Sequence, residues 1–169
     1  NSGIGMAIVL ELARQGAILR SQRINYSQYA ASMIWGADHR KIYLSFRIYE
    51  QPSYAAPPVS YTAVGCMMSP DEGATWTKLD GTPIALPATV ETTDIIVGND
   101  SAEGRIVDAG AMALTSDCQP CIGYSVRMPD NSQSYLATAL TGGGWRHVHL
   151  NRFLPAGWRD AVMTVATAA

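Results

Sequence analysis

Residues 69–76 read Ser69-Pro-Asp-Glu-Gly-Ala-Thr-Trp76, and this stretch decides the fold. The Asp71 carboxylate is suited to accept backbone N–H groups inside a tight turn, and Gly73 supplies the positive φ that such a turn requires. The indole at the end of the stretch is expected to pack between neighbouring sheets. The pattern S-x-D-x-G-x-T-W therefore predicts a structural turn at a strand end. Its residues are Ser69, Asp71, Gly73, Thr75 and Trp76.

The sequence on both sides of this turn is typical of short β-strands. Apolar residues occupy every second position from Ile42 to Ile48, which is the period of a strand with one buried face. Other runs rich in β-branched and aromatic residues lie between clusters of Gly, Pro, Asp and Asn. The predicted strands are Lys41–Tyr49, Tyr61–Met68, Ile106–Leu114, Cys121–Arg127, Ser134–Leu140 and Trp145–Leu150. The predicted fold class is all-β with antiparallel strands.

A strand pair in the first half of the chain recurs in the second half. Asp38–Arg47 (DHRKIYLSFR) lies over Asp117–Arg127 (DCQPCIGYSVR) with one residue inserted in the turn. Four antiparallel strands per repeat describe one blade of a β-propeller, and an internal repeat is the sequence signature of such a fold. We therefore expect an incomplete propeller of about two blades plus part-blades.

These patterns divide the chain into five segments. The repeat at Ile4, Ile8 and Leu12 leaves a helix as the alternative to the end of a preceding blade over residues 1–24. The further segments are a first blade at 25–80 with the 69–76 turn, an inter-blade loop at 81–105, a second blade at 106–150 and the start of a further blade at 151–169. The sequence has no initial Met and ends in an apolar stretch. We expect a fragment that is inactive when isolated, with the remaining blades elsewhere in its protein.

Composition excludes several classes of function. The net charge of −2, from 12 Lys and Arg against 14 Asp and Glu, provides no basic footprint for nucleic acid. Because 47% of the residues are apolar, the chain is not intrinsically disordered. The longest uncharged apolar run, Gly3–Leu10, is far short of the roughly 20 residues that span a membrane. Three cysteines are too few for a disulfide framework.

The text around the turn resembles a known family. Met68–Pro87 (MSPDEGATWTKLDGTPIALP) is similar to the Asp box of the BNR-repeat, sialidase-like propellers, and in particular to the BNR-repeat proteins related to polysaccharide lyases. Asp117–Tyr124 resembles their D-x-x-G-x-P-H-x-x-Y strand opening, with Cys121 where they commonly have His. Phe46–Tyr49 (FRIY) lacks the Pro of the sialidase F/Y-R-I-P motif, which disfavours a true sialidase.

The resemblance implies carbohydrate chemistry. Members of the family cleave acidic polysaccharides by β-elimination, and their relatives hydrolyse terminal sugars. The implied function is a lyase or glycoside hydrolase with a polysaccharide or oligosaccharide as its partner. The resemblance implies a secreted or periplasmic location and no cofactor. Because position 121 is a cysteine here, the resemblance does not imply a catalytic histidine at that position. The alternative function is a non-catalytic propeller segment that binds carbohydrate or protein.

Propeller topology places the candidate functional residues at one end of the blades. The connections between second and third strands, and between blades, lie at that end, where we expect long loops that carry binding residues. Arginine grips a carboxylate bidentately, so Arg47 and Arg127 are the predicted carboxylate binders. Tyr49 or Tyr54 is the predicted proton-transfer group. The predicted substrate-binding residues are Arg47, Arg127, Glu50 and Asp130. The arginines alternatively cap backbone carbonyls at repeat-equivalent strand ends.

Two further hypotheses concern other residues. His147 and His149 lie on the same side of an outer strand, where we expect them to face solvent. Together with Cys118 and Cys121 they form a candidate zinc site, although the His–x–His spacing is tighter than usual. Residues 1–17 are similar to the Gly-rich loop and first helix of short-chain dehydrogenases, which makes nucleotide binding a remote alternative. We predict no metal.

Overall fold

The computed structural model describes residues 26–50, 61–86, 88–100, 105–128 and 131–153. These residues form two four-stranded antiparallel sheets, with strand orders β1-β2-β3-β4 and β5-β6-β7-β8. The strands are β1 (Tyr26–Trp35), β2 (Ile42–Glu50), β3 (Tyr61–Ser69), β4 (Asp94–Asp100), β5 (Ile106–Leu114), β6 (Pro120–Met128), β7 (Asn131–Ala139) and β8 (Trp145–His149). Within the described ranges the two sheets do not close into a ring. The predicted fold, all-β and an incomplete propeller, is confirmed.

The first sheet buries one face against its own long connection between β3 and β4. The alternating residues Ile42, Leu44, Phe46 and Ile48 of β2 are all buried on this face. Trp76, whose exposed fraction is 2%, joins the same cluster. The long connection folds back over the sheet and carries the indole onto it. The preceding blade, predicted at residues 1–24, lies outside the described residues, so packing of the indole between blades stays a prediction.

The fourth strand of the first sheet is split into two pieces. Thr77 pairs with Met68 of β3 in an isolated bridge, and the chain then leaves the sheet until β4 begins at Asp94. The Leu79 N–H donates to the Asp94 carboxylate at 2.6 Å, which joins the departing and returning segments. The predicted inter-blade loop at 81–105 thus contains β4. The Pro- and Thr-rich connection between Thr77 and Asp94 separates this strand from the box turn. The sequence pattern therefore does not show that β4 belongs to the first blade.

The second sheet packs against the first through a shared apolar core. The members of this core are Tyr43, Val64, Cys66 and Ile96 from the first sheet, with Val107, Met112, Ile122, Tyr124 and Ala137 from the second. The edge strand β5 contacts all four strands of the first sheet, β1, β2, β3 and β4. The buried Thr62 hydroxyl accepts a hydrogen bond from the Val107 N–H at 3.0 Å, so a directed contact links the two sheets as well.

The internal repeat is visible in the backbone. His39 and Cys118, which the sequence alignment places at equivalent positions, have φ angles of 54° and 60° in the β1–β2 and β5–β6 turns. Each turn is closed by equivalent backbone bonds, from His39 N to Gly36 O at 3.0 Å and from Cys118 N to Thr115 O at 2.9 Å. The two turns therefore share a left-handed residue and its backbone bond, whereas the outer bond runs from Gly36 N to Lys41 O in the first turn and from Thr115 N to Gln119 O in the shorter second turn.

The turns and connections divide between two ends of the sheets. We call the end that carries the 69–76 turn and the β1–β2, β5–β6 and β7–β8 turns the box end, and the opposite end, where β2, β4 and β6 finish, the arginine end. The expectation of long loops at the arginine end is wrong for the second sheet, since β6 and β7 are separated by residues 129–130 and pair up to Met128 and Asn131. In the described ranges, no helix has the length and hydropathy to cross a membrane.

Candidate functional site

Two arginines from neighbouring sheets converge at the arginine end. Arg47 lies near the end of β2, and Arg127 lies near the end of β6. Both contact Asp108 of β5: Arg47 through its NH1 to Oδ1, and Arg127 through its Nε to Oδ2 at 2.6 Å. Each oxygen of one carboxylate therefore accepts from a different arginine. The structure brings the two predicted carboxylate binders together on an internal carboxylate.

The strand register explains how Asp108 reaches both arginines. Ile106 pairs with Arg127 and Asp108 pairs with Ser125, so Asp108 and Arg127 are diagonal neighbours on one face of the second sheet. Because β5 is an edge strand, no further strand of its sheet separates Asp108 from Arg47 in the first sheet. The hydrogen bond between Thr62 and the Val107 N–H holds the residue next to Asp108 in place.

The ion cluster is only partly shielded from water. The exposed fractions of the side chains are 24% for Arg47, 26% for Asp108 and 53% for Arg127. Ion pairs with this much solvent contribute little to stability, about 0–1 kcal/mol each. The side chains of Arg47, Asp108 and Arg127 add up to one positive charge, and Arg127 is the most exposed of the three. The cluster is therefore suited to attract an anion, although Asp108 already takes part of its hydrogen-bonding capacity.

Tyr49 lies beside the cluster on the same strand face as Arg47. The Arg47 guanidinium carbon is 5.7 Å from the centroid of the Tyr49 ring, within the range of a cation–π contact. Glu50 ends β2, where its backbone pairs with Tyr26 and Tyr61. The other two candidates, Tyr54 and Asp130, lie outside the described residues. Of the two predicted proton-transfer groups, Tyr49 lies within the described residues, next to Arg47.

Sequence reasoning missed Asp108. The strand Ile106–Leu114 reads IVDAGAMAL, in which Asp108 is the charged residue among apolar and small ones. A charge within an apolar strand signals a partner, because a carboxylate in a partly buried strand requires compensation. The partners themselves are separated from Asp108 along the chain, so the sequence does not identify them.

A second polar cluster crosses the second sheet. The Tyr124 and Tyr135 rings stack with centroids 5.1 Å apart, and the Tyr135 and His149 rings stack at 4.9 Å. The Tyr124 hydroxyl is 3.0 Å from His147 Nδ1. Burial, with a smaller contribution from Tyr135, raises the pKa of Tyr124 to about 12, so its hydroxyl stays protonated at neutral pH.

The two histidines follow the expectation in part. His147 is exposed, as expected for an outer strand, whereas His149 is half-buried and its Nε2 has no hydrogen-bond partner among the described residues. Both lie on the tyrosine face of the sheet. Cys121 lies on the other face, with its Sγ 3.4 Å from Thr138 Oγ1. The zinc hypothesis is therefore wrong on geometry, because its proposed ligands point to opposite sides of the sheet.

The box turn lies at the end of the sheet opposite the arginines. Asp71 Oδ1 accepts from Thr75 N at 2.7 Å, and Ser69 Oγ accepts from Gly73 N at 2.7 Å. Gly73 has a φ of 99°, the positive value that the sequence predicted. The Glu72 N–H also donates to the Arg40 carbonyl at 3.0 Å, which ties this turn to the β1–β2 turn. These bonds are internal to the turns, and the box is structural.

Comparison with known proteins identifies a family model and solved structures that this chain resembles. A family model described as BNR repeat-containing family member matches residues 12–153. Two solved structures of an ulvan lyase from a new polysaccharide lyase family, PL25, match with a TM-score of 0.59 and 18% identity. One of them is bound to -[GlcA(1-4)Rha3S]-. Each match covers 77% of this chain, which spans 33% of the solved chain, and at this identity it shows the fold alone. No protein with a curated description matches the sequence.

Proposed function

The chain belongs to the BNR repeat-containing family, and on this premise we propose that it forms part of a propeller that acts on an acidic polysaccharide as a lyase. The observation that carries the proposal is the convergence of Arg47 and Arg127 on one carboxylate. Guanidinium groups from two blades contact the same carboxylate, Arg47 through NH1 to one oxygen and Arg127 through Nε to the other. Charge-assisted contacts of this kind also bind the carboxylates of ligands. A uronate residue of the polymer provides such a group.

The residues at this site match the requirements of β-elimination. The reaction needs the uronate carboxylate neutralised, a base for the C5 proton and an acid for the leaving oxygen. We assign the first role to Arg47 and Arg127, and proton transfer to Tyr49, whose ring lies against the Arg47 guanidinium. A tyrosine hydroxyl held against the reacting group is able to give or take a proton. Tyr54, Glu50 and Asp130 remain proposed members of the same site.

The test measures product formation by the full-length protein. Uronate polymers are incubated with wild type, Arg47→Gln and Tyr49→Phe, and unsaturated uronate is followed by its ultraviolet absorbance. We expect both variants to lower the rate by about a hundredfold, the scale for losing one group that stabilises a developing anion. Arg146→Gln is the matched control, because it removes the same charge near the box end and leaves the rate unchanged.

The products distinguish a lyase from a hydrolase and from a protein that does not cleave uronate polymers. If new reducing ends form without unsaturated product, the reaction is hydrolysis and the lyase proposal is wrong. If the Tyr49→Phe variant forms product at the wild-type rate, Tyr49 does not transfer a proton in the reaction. If wild type forms no product from any uronate polymer, the enzyme proposal is overturned.

A second candidate function, carbohydrate binding without catalysis, has one observation in its favour. Cys121 stands where similar proteins commonly have His, and its side chain is buried with an exposed fraction of 7%. A buried thiol in contact with Thr138 is poorly placed for proton transfer to a substrate. Retention of oligosaccharide binding by a wild type that forms no product would support this function.

A further inference from the structure

We propose that Asp108 is an internal competitor of the substrate: it occupies the two arginines in the unliganded site, and an anionic ligand binds by displacing it. The inference rests on the proposed function for the identity of the ligand, a uronate carboxylate. It assigns to Asp108 a positioning and regulatory role that the sequence motifs do not mark.

The geometry of the cluster is that of a bound carboxylate. Asp108 Oδ1 accepts from Arg47 and Oδ2 accepts from Arg127, so both oxygens point toward cations from different sheets. A ligand carboxylate presents the same two oxygens with the same charge. The two carboxylates therefore compete for the same donors, and the affinity for the ligand is lowered by the strength of the internal contact.

The exposure of the cluster makes displacement physically accessible. Arg127 is 53% exposed and Asp108 is 26% exposed, so a ligand approaching from solvent can meet the arginine before the internal bond breaks. A displaced Asp108 becomes hydrated at low cost, because the site is already partly wet. In a fully buried pair, by contrast, separating the charges costs several kcal/mol.

The fold does not depend on this ion cluster for the docking of the two sheets. The core between them is apolar, and Val107 beside Asp108 is buried with an exposed fraction of 1%. The Thr62 hydroxyl, also buried, binds the Val107 N–H independently of the arginines. β5 therefore stays in place when the Asp108 side chain is released, as a displaceable group requires.

The charge of Asp108 lowers the affinity of the site for anions. Replacing Asp108 with a neutral residue makes the charge around Arg47 and Arg127 more positive by one unit, so the arginines attract small anions such as sulfate more strongly. Asp108 thus weakens the binding of isolated anions and of a uronate polymer alike, and the polymer binds despite the competition through contacts outside the cluster.

The experiment compares Asp108→Asn with wild type and with Asp117→Asn. The control variant makes the same change of charge and side chain in the β5–β6 turn at the box end, where Thr115 Oγ1 donates to Asp117 Oδ1. Binding of a glucuronate-containing oligosaccharide is measured by calorimetry. Sulfate binding is measured by the shift in melting temperature at constant ionic strength, which separates it from the general effect of excluded salts. Asp108→Ala is included because it leaves no amide oxygen to bind the arginines.

We expect Asp108→Asn and Asp108→Ala to bind both probes about tenfold more tightly than wild type, the scale of one hydrogen bond to a charged group. Asp117→Asn should bind them as wild type does. Equal affinities for Asp108→Asn, Asp117→Asn and wild type would overturn the inference. Unfolding of both Asp108 variants would overturn it as well, since Asp108 would then be required for the fold.

The two probes separate this inference from the proposed function. Tighter sulfate binding by the Asp108 variants, with no oligosaccharide bound by any variant, supports the competitor role and rejects the uronate ligand. Oligosaccharide binding by wild type with no gain in either Asp108 variant leaves the proposed function standing and rejects the competitor role.

Discussion

Asp71 closes the box turn with both of its carboxylate oxygens. Oδ1 accepts from Thr75 N, and Oδ2 accepts from Thr75 Oγ1, each at 2.7 Å. Ser69 Oγ donates to Oδ1 at 2.9 Å. The Thr75 side chain, then the Thr75 N–H, lower the pKa of Asp71 below its ordinary value of 3.8. A carboxylate that is fully used by its own turn is structural, and this explains why the motif reports the fold.

Stability should depend on pH through Asp71. Because its folded pKa is lowered, the stabilisation is present above the ordinary value of 3.8 and is lost as pH falls through the folded pKa. We expect Asp71→Asn to melt below wild type at neutral pH, and the difference to narrow as pH falls below about 4. Thermal melts of both proteins from pH 7 downward measure it.

Glu72→Gln is the control for this prediction, since it removes a neighbouring negative charge from the same turn. Its melting curve should follow that of wild type at neutral pH. A difference between Asp71→Asn and wild type that stays constant through the acid range would contradict the assignment of the pH dependence to Asp71.

At the scale of the strand pair, β2 and β3 approach closely at a glycine. Gly65 pairs with Phe46, which is buried with an exposed fraction of 1%. A Cβ built on Gly65 would lie 2.6 Å from Cε2 of the Phe46 ring and 3.3 Å from the Asp94 carbonyl. Glycine therefore has a packing role inside this strand: it makes room for the aromatic ring that fills the core of the first sheet.

Gly65→Ala should destabilise the protein by about 1–3 kcal/mol, because the added methyl group forces the Phe46 ring or the strand to move. Chemical denaturation measures the free energy of unfolding. The double-mutant cycle with Phe46→Leu removes the ring that the methyl group meets, so the penalty of Gly65→Ala should be smaller in that background. Equal penalties in both backgrounds would show that contact with the ring is not the cause.

Six of the eight observed strands were predicted from the sequence, whereas β1 and β4 were not among the predicted runs. β2, β3 and β5–β8 agree with the predicted runs, because alternation and β-branched residues mark them locally. β4 was missed as a strand of the first sheet, since the chain leaves the sheet after Thr77 and returns at Asp94. Local patterns do not record that two separated segments pair with the same neighbour.

At the scale of the whole molecule, the position of β5 decides the site. This edge strand of the second sheet lies against all four strands of the first, with Val107 in the shared core. The Thr62 hydroxyl accepts from the Val107 N–H at 3.0 Å across the two sheets. The same contact places Asp108 between Arg47 and Arg127. Docking of the sheets and formation of the ion cluster are therefore coupled through adjacent residues of one strand.

Thr62→Val should weaken this docking. Valine keeps the shape of threonine but leaves the Val107 N–H without its acceptor in a buried site, which costs about 1–3 kcal/mol. Thr62→Ser keeps the hydroxyl and should stay closer to wild type. Denaturation measures the stability of each variant, and hydrogen exchange at the Val107 amide reports the contact directly. Equal protection of that amide in the valine and serine variants would argue against the inter-sheet bond.

The candidate site was predictable in part. The repeat alignment identified Arg47 and Arg127, and propeller topology placed them at the same end, because strand-end position follows from the order of strands and turns. Their common partner was not predictable, since Asp108 meets them through the register of β5 with β6 and the docking of two sheets. The mistaken pairing of His147 with Cys121 has the same origin, since the two lie on opposite faces of the sheet.

The sequence alone determined the all-β class, the strand-and-turn pattern of each repeat and the box turn, because each depends on residues that are close along the chain. Periodicity, positive-φ positions and turn hydrogen bonds are local properties. The tertiary structure alone decided what the arginines contact. Asp108 meets Arg47 only after two sheets have packed through a common apolar core, and hydrophobic packing carries no sequence-local record of which polar groups it brings together.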